Sequence, residues 1–204
     1  TTPERILALT GPGCLVVGPG LGRAAAARAW LDAALAADLP LLLDADALNL
    51  IAGDAALAGR VRSRAAPTLL TPHPGEAARL LGCDPAAVQA DRPAALAALM
   101  ERYRSGVILK GSGSLVGFPG RPAWRNTSGN PGMAAPGMGD VLAGMVAALA
   151  AQGLDLERAA VLGAHLHGAA GDRTVERGIG PIGLTAGEVA RAARDLLNER
   201  TYGL

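Results

Sequence analysis

Aromatic residues are almost missing from this sequence. Trp30, Tyr103, Phe118, Trp124 and Tyr202 are the only five in 204 residues. A close-packed interior must therefore come from Leu, Val and Ala, and 44 alanines supply much of it. Lysine is scarcer still, with Lys110 standing alone against 18 arginines. Arginine can replace lysine on a solvated face but not at every site, so Lys110 marks either a constrained position or chance survival. Cysteine is limited to Cys14 and Cys83, which form no CxxC and have no His at ligand spacing. That argues against a zinc site and for a reducing, cytoplasmic setting. Charge of one sign is also lacking: Lys+Arg is 19, Asp+Glu is 18, and the net charge is +1. A nucleic-acid partner is not expected without a basic surplus. No apolar run approaches the ~18 residues of a membrane span, and residues 1–10 lack the charged-then-apolar order of a signal peptide. A membrane partner is therefore not expected.

What is present alternates. Short apolar runs at Cys14 to Gly18, Leu41 to Asp44, Thr68 to Thr71 and Val107 to Lys110 are separated by Ala-rich helical patterns. Continuous apolar strands of this kind belong to a parallel sheet covered on both faces. Ser114 to Phe118 and Ala123 to Thr127 read as a hairpin turning at Pro119-Gly120. Three helices follow, near 139–152, 156–175 and 185–199, the last opened by the capping box Thr185-Ala-Gly-Glu188. The expected fold class is α/β: three layers, α/β/α, around a mostly parallel central sheet. Such folds usually place their first strand near the sheet centre, with others to flank it.

Five motifs sit at strand ends or helix starts. Val17-Gly-Pro-Gly-Leu-Gly22 offers either a backbone approach for an anion or a plain tight turn. In Leu43-Asp-Ala-Asp-Ala-Leu-Asn49, Asp44 and Asp46 share a face if the strand continues; either serves a metal or a ribose, or one caps the next helix. Thr71-Pro-His-Pro-Gly-Glu76 holds His73 between two prolines, which suits a ligand contact, with Pro74 and Glu76 suited to a first helical turn. Lys110-Gly-Ser-Gly-Ser114 exposes amides and hydroxyls to a phosphate or a base, but its lysine precedes the glycines, unlike a Walker A loop. The most specific motif is Asn130-Pro-Gly-Met-Ala-Ala-Pro-Gly-Met-Gly-Asp140. Gly137 and Gly139 free the backbone at a helix start, so that amides converge on one anion while Asp140 takes a proton from a hydroxyl. His165 and His167, two apart in a helix, do not share a face and read as structural core residues.

In this order the motifs resemble the ribokinase-like superfamily, and within it the ADP/ATP-dependent NAD(P)H-hydrate dehydratases. The matching segments are VVGPGLG, LLLDADALN, TPHPGE, LKGSGS, NTSGNPGM with GMGD, and GAHLHGAAGD. The resemblance implies repair of the S-epimer of hydrated NADH or NADPH. ADP or ATP phosphorylates the C6 hydroxyl, and phosphate then leaves. It implies that Asp140 is the base, and that Lys110, Gly111, Ser112, Gly113, Ser114 and Gly139 hold the nucleotide. Gly137, Met138 and Gly139 would form the anion hole. Gly20, Gly22, His73 and Asp140 would meet the hydrated cofactor. Mg2+ would bridge the phosphates, with few protein ligands. Members assemble, so with Ala- and Leu-rich helix faces a homo-oligomer is expected. Where many members have Thr-Gly-Gly-Thr, this chain has Ala135-Pro-Gly-Met138, so Met138 brings no hydroxyl and Pro136 has no amide to donate. The family's first strands and helix precede Thr1, so residues 1–204 are expected to be one domain lacking its N-terminal part. Two other readings stay open: a small-molecule kinase acting on a vitamin precursor, and a non-catalytic nucleotide-binding module.

Overall fold

In the computed structural model, which describes residues 2–3 and 13–203, six strands form one sheet. They are β1 (Leu15–Val17), β2 (Leu41–Leu43), β3 (Thr68–Leu70), β4 (Gly106–Leu109), β5 (Leu115–Gly117) and β6 (Trp124–Arg125), lying side by side in chain order. The first four are parallel, with Val16 opposite Leu42 and Leu42 opposite Leu69. β5 and β6 add an antiparallel hairpin on the far side of β4. The parallel strands are expected at these positions, and so is the hairpin. β1 differs: it stands at the edge of the described sheet, because strand order simply follows the chain.

Nine α-helices lie among the described residues. Six of them connect or follow the parallel strands: α1 (Ala25–Ala36), α2 (Ala45–Ala52), α3 (Ala55–Ser63), α4 (Pro74–Leu81), α5 (Pro85–Ala90) and α6 (Arg92–Tyr103). The remaining three are α7 (Met138–Ala151), α8 (Leu156–Glu176) and α9 (Ala186–Tyr202). Side chains alternate across the sheet with the strand period of two. Leu41, Leu43, Leu70, Val107 and Leu109 join the core shared with α1 to α6. Leu42, Leu69, Ile108 and Val116 join the opposite core, under α7 and α8. The three-layer α/β/α architecture follows, with α9 packed outside α8 through Val189, Ala192 and Ala193.

The aromatic shortage has a visible consequence. Tyr103 is the one aromatic among the largest fully buried side chains, and its hydroxyl donates to the Leu80 carbonyl at 3.1 Å. Leucines fill most of the rest. Thr185 caps α9 as its sequence suggests, with Glu188 Oε2 accepting from the Thr185 amide at 2.8 Å. No described helix is long and apolar enough to cross a membrane.

Candidate active site

Parallel strands deliver their carboxyl ends to one edge of a sheet, where α/β folds bind ligands. Here that edge collects Gly18 to Gly22 after β1, Asp44 after β2, Thr71 to Glu76 after β3 and Lys110 to Ser114 after β4. The hairpin brings back the segment after β6.

The ends of β2 and β4 meet at Lys110. Its Nζ donates to Asp44 Oδ1 at 2.7 Å and lies 4.0 Å from Glu76 Oε2. The Asp44 side chain is only 1% exposed and that of Lys110 is 17% exposed, so this is a desolvated ion pair. Asp44 also accepts from the Ala45 amide and caps α2. Helix α2 starts directly after Asp44, so Asp44 and Asp46 do not share a strand face. Asp46 turns instead to the β1 loop, accepting from the Gly22 amide at 2.9 Å. The lone lysine is therefore constrained, but its ammonium is committed to Asp44. A Cβ on Gly139 would stand 3.1 Å from Nζ, which puts the pair directly behind the start of α7.

His73, expected as a ligand contact, has a structural role in this fold. Its Nδ1 accepts from the amides of Gly75 (3.0 Å) and Glu76 (3.3 Å), while its own amide donates to Glu76 Oε2 at 2.8 Å. The imidazole thus caps α4 in a reciprocal capping box. With Nδ1 accepting, the neutral ring carries its proton on Nε2. Burial pushes its pKa below the usual value, with the Glu76 carboxylate opposing.

A cavity of about 810 Å³ opens at this edge, lined by His73, Lys110 to Ser114, residues 125–131, Met133, Ala134, Met138, Gly139, Leu142 and His167. Ser114 closes its own loop, its hydroxyl donating to Gly111 O (2.9 Å) and accepting from Gly111 N (3.2 Å). The opposite wall hangs on α8. Asn126 donates to Ala164 O, Ser128 Oγ to His165 O at 3.0 Å, and both Gly129 N and Asn130 Nδ2 to the Asp172 carboxylate. Gly168 makes this docking possible: a Cβ there would lie 2.3 Å from Ser128 Oγ and 2.7 Å from the Ser128 backbone. Gly168→Ala is accordingly expected to destabilise by about 1–3 kcal/mol through overpacking. Its melting temperature should fall by roughly 2–4 °C per kcal/mol. A melt indistinguishable from wild type would show that the wall gives way freely.

Gly137 opens α7 in the left-handed region (φ 82°), leaving the Met138, Gly139 and Asp140 amides at a helix N-terminus. The Met138 amide is partly engaged, 3.4 Å from Ala135 O. Met138 and Gly139 face the cavity; Gly137 and Asp140 do not line it. Asp140 is exposed beside Gly139, as are Gly20 and Gly22 on the β1 loop. The structure thus brings Lys110 to Ser114, Gly139, Met138 and His73 to one cavity, and leaves Asp140, Gly20 and Gly22 outside it at the same sheet edge. His165 is exposed and not part of the core. His167 lines the cavity; its Nε2 is buried without a partner among the described residues, and burial lowers its pKa to about 4. Its ring is neutral at neutral pH.

The family model of the NAD(P)H-hydrate dehydratases matches residues 5–192. The chain belongs to this family. It is 47% identical over 191 residues to the ADP-dependent (S)-NAD(P)H-hydrate dehydratase of Neisseria meningitidis, covering 93% of this chain and 64% of that protein. It is 43% identical over 190 residues to a bifunctional NAD(P)H-hydrate repair enzyme of Coxiella burnetii, covering 93% of this chain and 37% of that one. The chain therefore spans less than two thirds of the length of these relatives. The ADP/ATP-dependent NAD(P)H-hydrate dehydratase of Bacillus subtilis, co-crystallised with ATP/Mg2+, superposes with a TM-score of 0.82 at 26% identity, covering 97% of this chain and 69% of that one. The fold is ribokinase-like.

Asn126, Ser128, Asn130 and Asp172 have no role that their sequence motifs alone assign. They belong to NTSGNPGM and GAHLHGAAGD, the two segments matched without roles for most of their polar residues. The glycine facing Ser128 was the available signal that the two segments touch.

Proposed function

We propose that this chain catalyses ADP- or ATP-dependent dehydration of the S-epimer of hydrated NADH or NADPH, in the cytoplasm. One observation carries the reading: the Lys110 to Ser114 loop and Gly139 of α7 line one cavity, with Asp140 as the next residue outward. Family membership and the name of the 47% identical relative support the substrate.

In this reading the nucleotide lies along Lys110 to Ser114, and its terminal phosphoryl group meets the amides of Met138 and Gly139 at the positive end of α7. The hydrated cofactor approaches from the Asp140 side, near His73, Gly20 and Gly22. Asp140 accepts the proton of the C6 hydroxyl as its oxygen attacks the terminal phosphorus and the bond to the leaving nucleotide breaks. With ADP, AMP departs. The C6–O bond then breaks, driven by the ring nitrogen's electron pair; phosphate leaves, and loss of the C5 proton restores the dihydronicotinamide. Among the described residues no group of three or more His, Cys, Asp or Glu can cage a cation. Mg2+, which supplies phosphate charge neutralisation when bound, would thus take most of its ligands from phosphate oxygens and water.

The test supplies the protein with ADP, Mg2+ and the S-hydrate of NADPH. AMP, phosphate and dihydronicotinamide absorbance should appear together, and none without the hydrate. A phosphorylated product that accumulates would mark a kinase. Nucleotide binding without turnover would mark a non-catalytic module.

A further inference from the structure

We propose that Arg125 contacts the phosphate that stays with the leaving nucleotide, and so sets the affinity for ADP and AMP alike. The proposal rests on the function proposed above. Arg125 ends β6 and lines the cavity. Its guanidinium lies over the phosphate-type loop: a Cβ on Gly113 would stand 2.9 Å from Nε and 3.2 Å from one terminal nitrogen.

Charge decides what this group does. The cavity lining holds two basic side chains besides its histidines, Lys110 and Arg125, and no carboxylate. Lys110 is neutralised by Asp44 at 2.7 Å. Among the described residues the Arg125 guanidinium has no carboxylate within 4.0 Å and donates no hydrogen bond, so no described partner offsets its charge at the cavity. Arg92 provides the contrast. It flanks the same loop at Gly111, but its guanidinium is engaged with Leu109 O at 3.0 Å, Lys110 O at 3.4 Å and Gln89 Oε1 at 3.2 Å. Arg92 braces the loop from behind; Arg125 is left with its planar set of donors for an anion.

The position along the loop assigns the phosphate. The Lys110 end abuts Gly139 and the α7 N-terminus, where the transferred phosphoryl group lies in the reading above. Arg125 sits at the Gly113 end, further along the nucleotide. A cation there holds the phosphate common to ADP and AMP.

Calorimetric titration of wild type, Arg125→Ala and Arg125→Lys with ADP, AMP and adenosine tests this. Arg125→Ala should weaken ADP and AMP by similar factors, about tenfold to hundredfold, the range of a charge-assisted hydrogen bond. Adenosine should bind unchanged, and Arg125→Lys should fall between. KM for ADP should rise with kcat held, and the melting temperature should not move, since Arg125 is exposed. Unchanged AMP affinity in Arg125→Ala overturns the proposal. So does an equal loss for adenosine, which would place the contact on the base, or a loss confined to ADP, which would place it on the transferred group. Wild type that binds no adenine nucleotide would instead overturn the proposed function itself.

Discussion

Asp140→Asn is expected to lower turnover by about 10²- to 10⁴-fold, the usual worth of a positioned general base. Nucleotide affinity should be retained. The side chain is exposed and lies beside the cavity rather than in its lining. Asn keeps the volume and the first-turn position in α7, so stability should stay within about 0.5 kcal/mol, as for most surface changes. The decisive comparison is single-turnover AMP release against ADP binding on the same preparation. Loss of binding in step with turnover would remove Asp140 from the role of base and make it a ligand of the nucleotide. Turnover near wild type would require a different proton acceptor.

Lys110→Met is expected to have the largest effect on stability. It leaves the Asp44 carboxylate, 1% exposed, without its counter-ion, and breaking a buried pair from one side costs about 3–5 kcal/mol. For a domain of this size the melting temperature should drop by roughly 10 °C. Asp44→Asn should cost less. The amide still caps α2, and Lys110 retains partial access to solvent and Glu76 Oε2 at 4.0 Å. The double variant should recover part of the loss, because no charge is then stranded. If Asp44→Asn proves the more damaging single change, the ammonium is the group that needs its partner, and the order argued here is reversed. Both variants should also lower turnover if the proposed function holds, since the pair stands directly behind Gly139 at the start of α7.

Much of this fold is legible because its signals are local. The buried runs at Leu41, Thr68 and Val107 are strands because each is apolar without alternation, which only a sheet covered on both faces accommodates. The Thr185 capping box and the Pro119-Gly120 hairpin are equally local. Helices α5 and α6 have no bounds in the sequence reading; in the structure Asp84 and Asp91 cap them, each followed within two residues by a proline in the first turn. His73 escaped as a cap because imidazole is an uncommon N-cap acceptor, and its flanking prolines suggested a ligand contact first.

The sequence by itself determined the layers of the fold, the strand ends that gather at one sheet edge, and the singular status of Lys110. Periodicity, glycine placement and composition are properties of neighbouring residues, and a linear reading captures them. Only the tertiary structure decided what Lys110 does with its charge. Its partner Asp44 is 66 residues away, and parallel pairing through β3 brings the two strand ends together. The same holds for Arg125, which lies outside every recognised motif and reaches the Lys110 to Ser114 loop because β6 folds back beside β5. Whether a cation is neutralised depends on neighbours in space, and that separates Lys110, paired with Asp44, from Arg125 in the lining of one cavity.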